Sequence, residues 1–220
     1  MACADAARRG DLDALRRLRE RDGFAWDEKT CSDAAENGHI ECLRYAHENG
    51  CPWYEETCAD AALSGHIECL RYAHENGCPW NERTCSHAAL RGHIECLRYA
   101  RENGCPWDDG TCASAAWSGR IECLRYAHEH GCPWNAETSR FAALNGHIEC
   151  LRYARDNGCP ITPERADVLK RYEDAVTSLG VGMALSHRNE GGHISLREFL
   201  PSYLEHRRAR LDLQNTHRNS

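Results

Sequence analysis

Fifteen cysteines in a chain of 220 residues are the first candidates for chemistry. They fall into three ladders: Cys31, Cys58, Cys85 and Cys112; Cys42, Cys69, Cys96, Cys123 and Cys150; Cys51, Cys78, Cys105, Cys132 and Cys159. Cys3 matches the first. Thiols in this number could hold zinc, cross-link, or sense oxidants. Zinc sites want ligands paired two to four residues apart, and no CxxC occurs anywhere in the chain. Equivalent positions of stacked helical units lie about 8–10 Å apart, beyond the roughly 7 Å limit on Cα separation for a disulfide. The favoured reading is a small buried hydrophobe in every unit. A thiol-based metal or redox protein is the rival from another class.

Histidine offers a second candidate. His39 and Glu41 spell H-x-E, the opening of a zinc-deaminase signature, with copies at His66, His93 and His147. The P-C-x-x-C partner is missing, and Arg120 stands in place of the histidine in one copy. A helix N-terminal hydrogen-bonding role fits better, so no catalytic residue, metal ligand or cofactor is expected.

Trp26, Trp53, Trp80, Trp107 and Trp134 could stack ligand rings, but their fixed place at the end of each unit suits filling between units. Glu41, Arg44, Glu48 and their copies have the spacing of weak helix-surface ion pairs, worth about 0.3–0.5 kcal/mol each. GVG at 180–182 is too short to signal phosphate binding. His206, Arg207, Arg208 and Arg210 read as an exposed helix end.

What positions all of these is a repeat. GHIECLRYAHENGCPW occurs unchanged at 38–53 and 65–80 and returns with small edits at 92–107, 119–134 and 146–161, always 27 residues apart. A fixed period of this kind marks a solenoid whose units stack on their neighbours. Each unit opens on a threonine (Thr30, Thr57, Thr84, Thr111, Thr138) that reads as an N-cap, followed by a short helix with an Ala pair and a closing Gly. A second helix follows, HIECLRYAHEN at 66–76, with Ile67, Leu70 and Ala73 on one apolar face. Gly77 and Pro79 then stop it.

The expected fold is therefore an all-α solenoid of about six helix-turn-helix units, at about 1–29, 30–56, 57–83, 84–110, 111–137 and 138–164. The first is degenerate and Arg-rich, as a terminal capping unit should be. Residues 165–220 are expected to form a helical cap ending in a frayed tail. Within it, Ser195 and Glu198 make a capping box.

Net charge is −7, from 27 basic and 34 acidic side chains, which argues against sequence-independent binding to nucleic acid or anionic membrane. Residues 1–17 lack the apolar stretch of a signal peptide, and no run approaches a membrane span. The expectation is an intracellular, cytoplasmic protein with reduced thiols.

TCSHAALRGHIECLRYARENGCPW at 84–107 resembles the ankyrin repeat. Thr84, His87, the Ala88–Ala89 pair, Gly92–His93, Leu97 and Gly104 fall on that family's pattern, and Trp107 on its following Val. The unit is shorter than the family's usual one, with the deletion after the tryptophan, where the family forms a β-hairpin finger. The resemblance implies that the finger is absent. The short form is similar to ankyrin-type repeats of giant DNA viruses of amoebae, often accompanied there by an F-box, which residues 1–28 do not contain. For function the resemblance implies protein–protein binding, with a host factor as one partner class. An adaptor that recruits a target to ubiquitin-ligase machinery through residues 165–220 is the alternative.

The units differ in few places. The two residues before the Gly of the first helix change from unit to unit, and in the ankyrin family they lie on the concave binding face. Carried over, the resemblance makes Leu63, Ser64, Leu90, Arg91, Trp117, Ser118, Leu144 and Asn145 the candidate partner-binding residues. The leucines have an equal claim to inter-unit packing, while Trp117 fits a binding hot spot. The expected partner is a protein, not nucleic acid, membrane or a small-molecule substrate.

Overall fold

The computed structural model describes residues 2–27 and 29–163, and positions 166, 167, 169, 170 and 174. The cap expected over 165–220 falls, apart from those last five positions, outside the described residues. The chain divides into two compact units, Met1–Trp134 and Asn135–Ser220.

In the first unit, helices alternate between a first and a second position. The first helices are α1 (Ala2–Arg8), α3 (Thr30–Glu36), α5 (Glu55–Ser64), α7 (Glu82–Arg91) and α9 (Asp109–Trp117). The second helices are α2 (Leu12–Arg16, prolonged by a π-helical turn over Arg17–Arg21), α4 (Ile40–Glu48), α6 (Ile67–Glu75), α8 (Ile94–Glu102) and α10 (Ile121–Glu129). The second unit repeats the pair as α11 (Ala136–Leu144) and α12 (Ile148–Asp156). No β-strand occurs among the described residues. One residue, Tyr54 or Asn81, separates a unit's tryptophan from the next first helix, which leaves no room for a hairpin finger.

Side-chain size explains the packing. The core faces of the first helices carry alanine, cysteine and threonine, as in Cys58, Ala59, Ala61 and Ala62, all essentially inaccessible. Such short side chains let α3, α5, α7 and α9 pack backbone against backbone over most of their length. The second helices meet one another far less. Between them stand Leu43, Leu70, Leu97 and Leu124, fully buried, and a layer of larger rings.

Those rings are the tryptophan ladder. Trp53 stacks on His47 with centroids 3.7 Å apart, and the Tyr72 hydroxyl of the next repeat lies 3.1 Å from His47 Nδ1. Trp80, His74 and Tyr99 repeat the arrangement at 3.7 and 3.0 Å. Where Arg101 replaces the histidine, its guanidinium covers Trp107 at 4.4 Å. Arg44, Arg71 and Arg98 lie over the tyrosine rings of the following repeats, Tyr72, Tyr99 and Tyr126. Their charge is directed between repeats, where spacing along one helix suggested ion pairs with Glu41 and Glu48.

Two local expectations are corrected. The threonine is an N-cap in none of the units: α5 starts at Glu55, α7 at Glu82 and α9 at Asp109, so Thr57, Thr84 and Thr111 lie inside their helices and are buried. Asn81 and Asp108 cap instead, accepting from the amides of Arg83 and Gly110 at 3.0 Å each. A cap three residues earlier satisfies the free N–H groups just as well and turns the threonine inward.

The Gly-His histidine is also not a side-chain cap. His39, His66 and His93 stand at the start of α4, α6 and α8 without a side-chain bond to their own helix. His39 Nε2 donates instead to the carbonyl of Arg8 in the preceding repeat, at 3.1 Å. Its ring covers Gly10, as His66 covers Gly38 and His93 covers Gly65. A Cβ on Gly65 would sit 2.5 Å from His93 Nδ1, and its φ of +80° is itself a glycine conformation.

Candidate functional site

The first helices are covered on one side by the second helices. On the other they present the residues that vary between repeats. Leu63 and Ser64, on the last turn of α5, are half-buried. Leu90 is half-buried and Arg91 exposed at the same place on α7. Trp117 closes α9 with 48% of its surface accessible, beside the half-buried Ser118. On α11, in the second unit, Leu144 is 65% exposed and Asn145 donates its amide to the Phe141 carbonyl at 3.1 Å. The sequence pattern set Trp117 apart and left the three leucines divided evenly between packing and binding. Burial separates them: Leu63 and Leu90 share packing with their neighbours, whereas Trp117 and Leu144 give large apolar surface to solvent.

Beside Leu63 the same face is acidic. Asp33, Glu36, Glu55, Glu56 and Asp60 line a groove of about 700 Å³ between α3 and α5, with Lys29 the one cation among its lining residues. Asp33 is held by Arg8 at 2.8 Å, and Glu56 approaches Arg83 at 3.9 Å. Asp60 is half-buried, and burial pushes its carboxyl up to about 6, helped by Glu36 against the opposing charge of Arg83. Tyr54, 51% exposed, stands at the groove's edge.

Sequence reasoning did not single out this groove. Asp5, Asp33 and Asp60 occupy one position in successive units, replaced by His87, Ser114 and Phe141 further on. That change of character along the array was the available signal.

The thiols are buried in every ladder and none is in a disulfide. Sequence reasoning compared each ladder with itself and missed the contact between two of them. Cys31 lies beside Cys51, Cys58 beside Cys78 and Cys85 beside Cys105, close enough for one thiol to shift the acidity of the other. Cys78, Cys105 and Cys132 donate to the carbonyls of Tyr54, Asn81 and Asp108 at 3.1–3.2 Å, tying each GCP loop to the start of its own first helix. The neighbouring thiol and burial push Cys31, Cys58 and Cys85 far above the ordinary thiol range, the opposite of an activated nucleophile. Among the described residues no three His, Cys, Asp or Glu side chains are grouped to hold a metal ion. Nor is any described helix long and apolar enough to cross a membrane.

These features agree with comparisons to known proteins. Residues 58–101 match the family model for ankyrin repeats. Among solved structures the chain is similar to the human ASB11 ankyrin repeat domain, with a TM-score of 0.61 and 20% identity over 73% of this chain and 85% of that one. No curated protein matches. The fold is thus that of an ankyrin repeat solenoid.

Proposed function

We propose that this chain is a non-enzymatic module that binds a partner protein through the exposed side of its first helices. Leu63, Ser64, Leu90, Arg91, Trp117 and Ser118 make the contact in the first unit; Leu144 and Asn145 are the corresponding candidates on the second unit taken by itself. The observation that carries the reading is the exposure of Trp117, a large aromatic at a variable position of a fold in which Trp26, Trp53, Trp80 and Trp107 pack against the tyrosine of the next repeat. Aromatic anchors on a rigid face bind with little ordering cost. The acting compartment is the cytoplasm, and a host factor is the partner class that the short viral-type repeat suggests.

Alanine at Leu90, Arg91 and Trp117 tests this. The expected result is loss of the captured partner with unchanged helical circular dichroism. Retention of the partner by the folded variant would refute it.

A further inference from the structure

Within the first unit, three features of the first-helix face specify what kind of segment it accepts. The groove between α3 and α5 carries five carboxylates and one lysine, and two of those carboxylates already have an arginine. With Glu36, Glu55 and Asp60, the last also facing Arg83, the groove stays acidic on balance. Leu63, one helical turn beyond Asp60, continues the face into the apolar positions Leu90 and Trp117.

The third feature is Tyr54. It occupies the N-cap of α5, where the other repeats place Asn81, Asp108 and Asn135, each accepting from an amide two residues on. Tyr54 makes no side-chain cap bond, and its ring is left exposed at the edge of the acidic groove. α5 forgoes the side-chain cap that α7, α9 and α11 keep and shows an aromatic face instead, and such departures from a local rule concentrate at functional sites.

We propose that this face docks an extended segment of a partner protein in which arginine precedes apolar residues. The guanidinium lies between the Tyr54 ring and the carboxylates of Asp60 and Glu36, and the apolar side chains follow over Leu63 and Leu90. Arginine fits better than lysine because its planar fork both stacks on a ring and bridges two carboxylates. The inference rests on the proposed use of the first-helix face and adds the chemistry of the partner.

The test is fluorescence anisotropy with a labelled peptide, Gly-Arg-Arg-Leu-Gly-Leu, and its twin carrying citrulline for arginine. The intact chain should bind the arginine peptide about tenfold more tightly than the neutral twin, the scale of one charge-assisted contact. Asp60→Asn with Glu36→Gln, and separately Tyr54→Ala, should each erase that preference. Glu68→Gln with Glu95→Gln makes the same change of net charge on the second helices and should leave it intact. Equal binding of the two peptides, no binding of either, or equal loss in both charge-changed variants overturns the proposal. So does a dimer seen by light scattering and lost with Asp60→Asn, since the occupant is then a second copy. If Leu90→Ala with Trp117→Ala weakens both peptides while the groove variants change nothing, the face stands and the arginine assignment fails.

Discussion

His39 Nε2 donates to the carbonyl oxygen of Arg8 at 3.1 Å, so the residue that opens one repeat's second helix is bonded to the end of the preceding repeat's first helix. The contact is possible because Gly10 has no side chain under the ring. The His93 ring covers Gly65 in the same way, with the Leu63 carbonyl beside it. The Gly-His pair is therefore an inter-repeat joint, with the glycine serving the next repeat's histidine rather than its own.

Gly65→Ala should accordingly cost more than Gly77→Ala. Both glycines have positive φ, at +80° and +85°, but a Cβ on Gly65 meets His93 at 2.5 Å while one on Gly77 meets nothing within 4 Å. Gly77→Ala is expected to lose about 1 kcal/mol, the conformational penalty alone, and Gly65→Ala about 2–3 kcal/mol. Urea unfolding followed by circular dichroism measures the difference. Equal losses would mean that the ring contact contributes nothing.

Asp60 should destabilise the fold at neutral pH. Its carboxyl is raised to about 6 in the folded chain, so the folded state binds a proton more readily than the unfolded one. Stability from this group therefore increases as pH falls through 6 toward the unfolded value and is lost again as pH rises. Asp60→Asn should stabilise by about 1–2 kcal/mol at pH 7.5, and the gain should fade by pH 4. Unfolding curves of both proteins at the two pH values check this.

The histidines act in the opposite sense. Burial lowers His47, His87 and His93, so the unfolded chain takes up protons first as pH falls through the ordinary histidine range. Stability from these groups is retained above that range and declines below it. Replacing His47 by glutamine should flatten the decline between pH 7 and pH 5. A slope unchanged by the substitution would contradict the assignment.

Leu97→Ala and Trp117→Ala should separate core from surface. Leu97 is completely buried between helices, and its truncation should cost about 2–5 kcal/mol. Trp117 is 48% exposed, and its loss should change stability by no more than about 1 kcal/mol. Denaturation midpoints of the two variants decide whether Trp117 belongs to the core or to the surface.

How much of this was legible beforehand follows from what periodicity records. A repeated Leu70, Cys69 and Gly77 announce a face and a stop, so helices, loops and the solenoid could be read directly. Helix starts could not, because Thr57 has the side chain of an N-cap and only its packing against the core shows that the helix begins earlier, at Glu55. The thiol pairs were hidden because Cys31 and Cys51 belong to different ladders, and a one-dimensional period shows each ladder only against itself. Of the candidate site, Trp117 was recognisable by its size at a variable position. The acidic groove was not, since it joins residues from α3 and α5 that lie a whole repeat apart in sequence.

The most direct test of the central claim is affinity capture from cell lysate, with the intact chain set beside a Leu63→Ala/Leu90→Ala/Trp117→Ala variant and a Glu41→Gln/Glu68→Gln/Glu95→Gln variant. All three should give the same helical spectrum. A partner retained by the intact chain and the glutamine variant but lost by the alanine variant is the predicted result. The same partner on all three baits would contradict the claim and remove the first-helix face as the working surface.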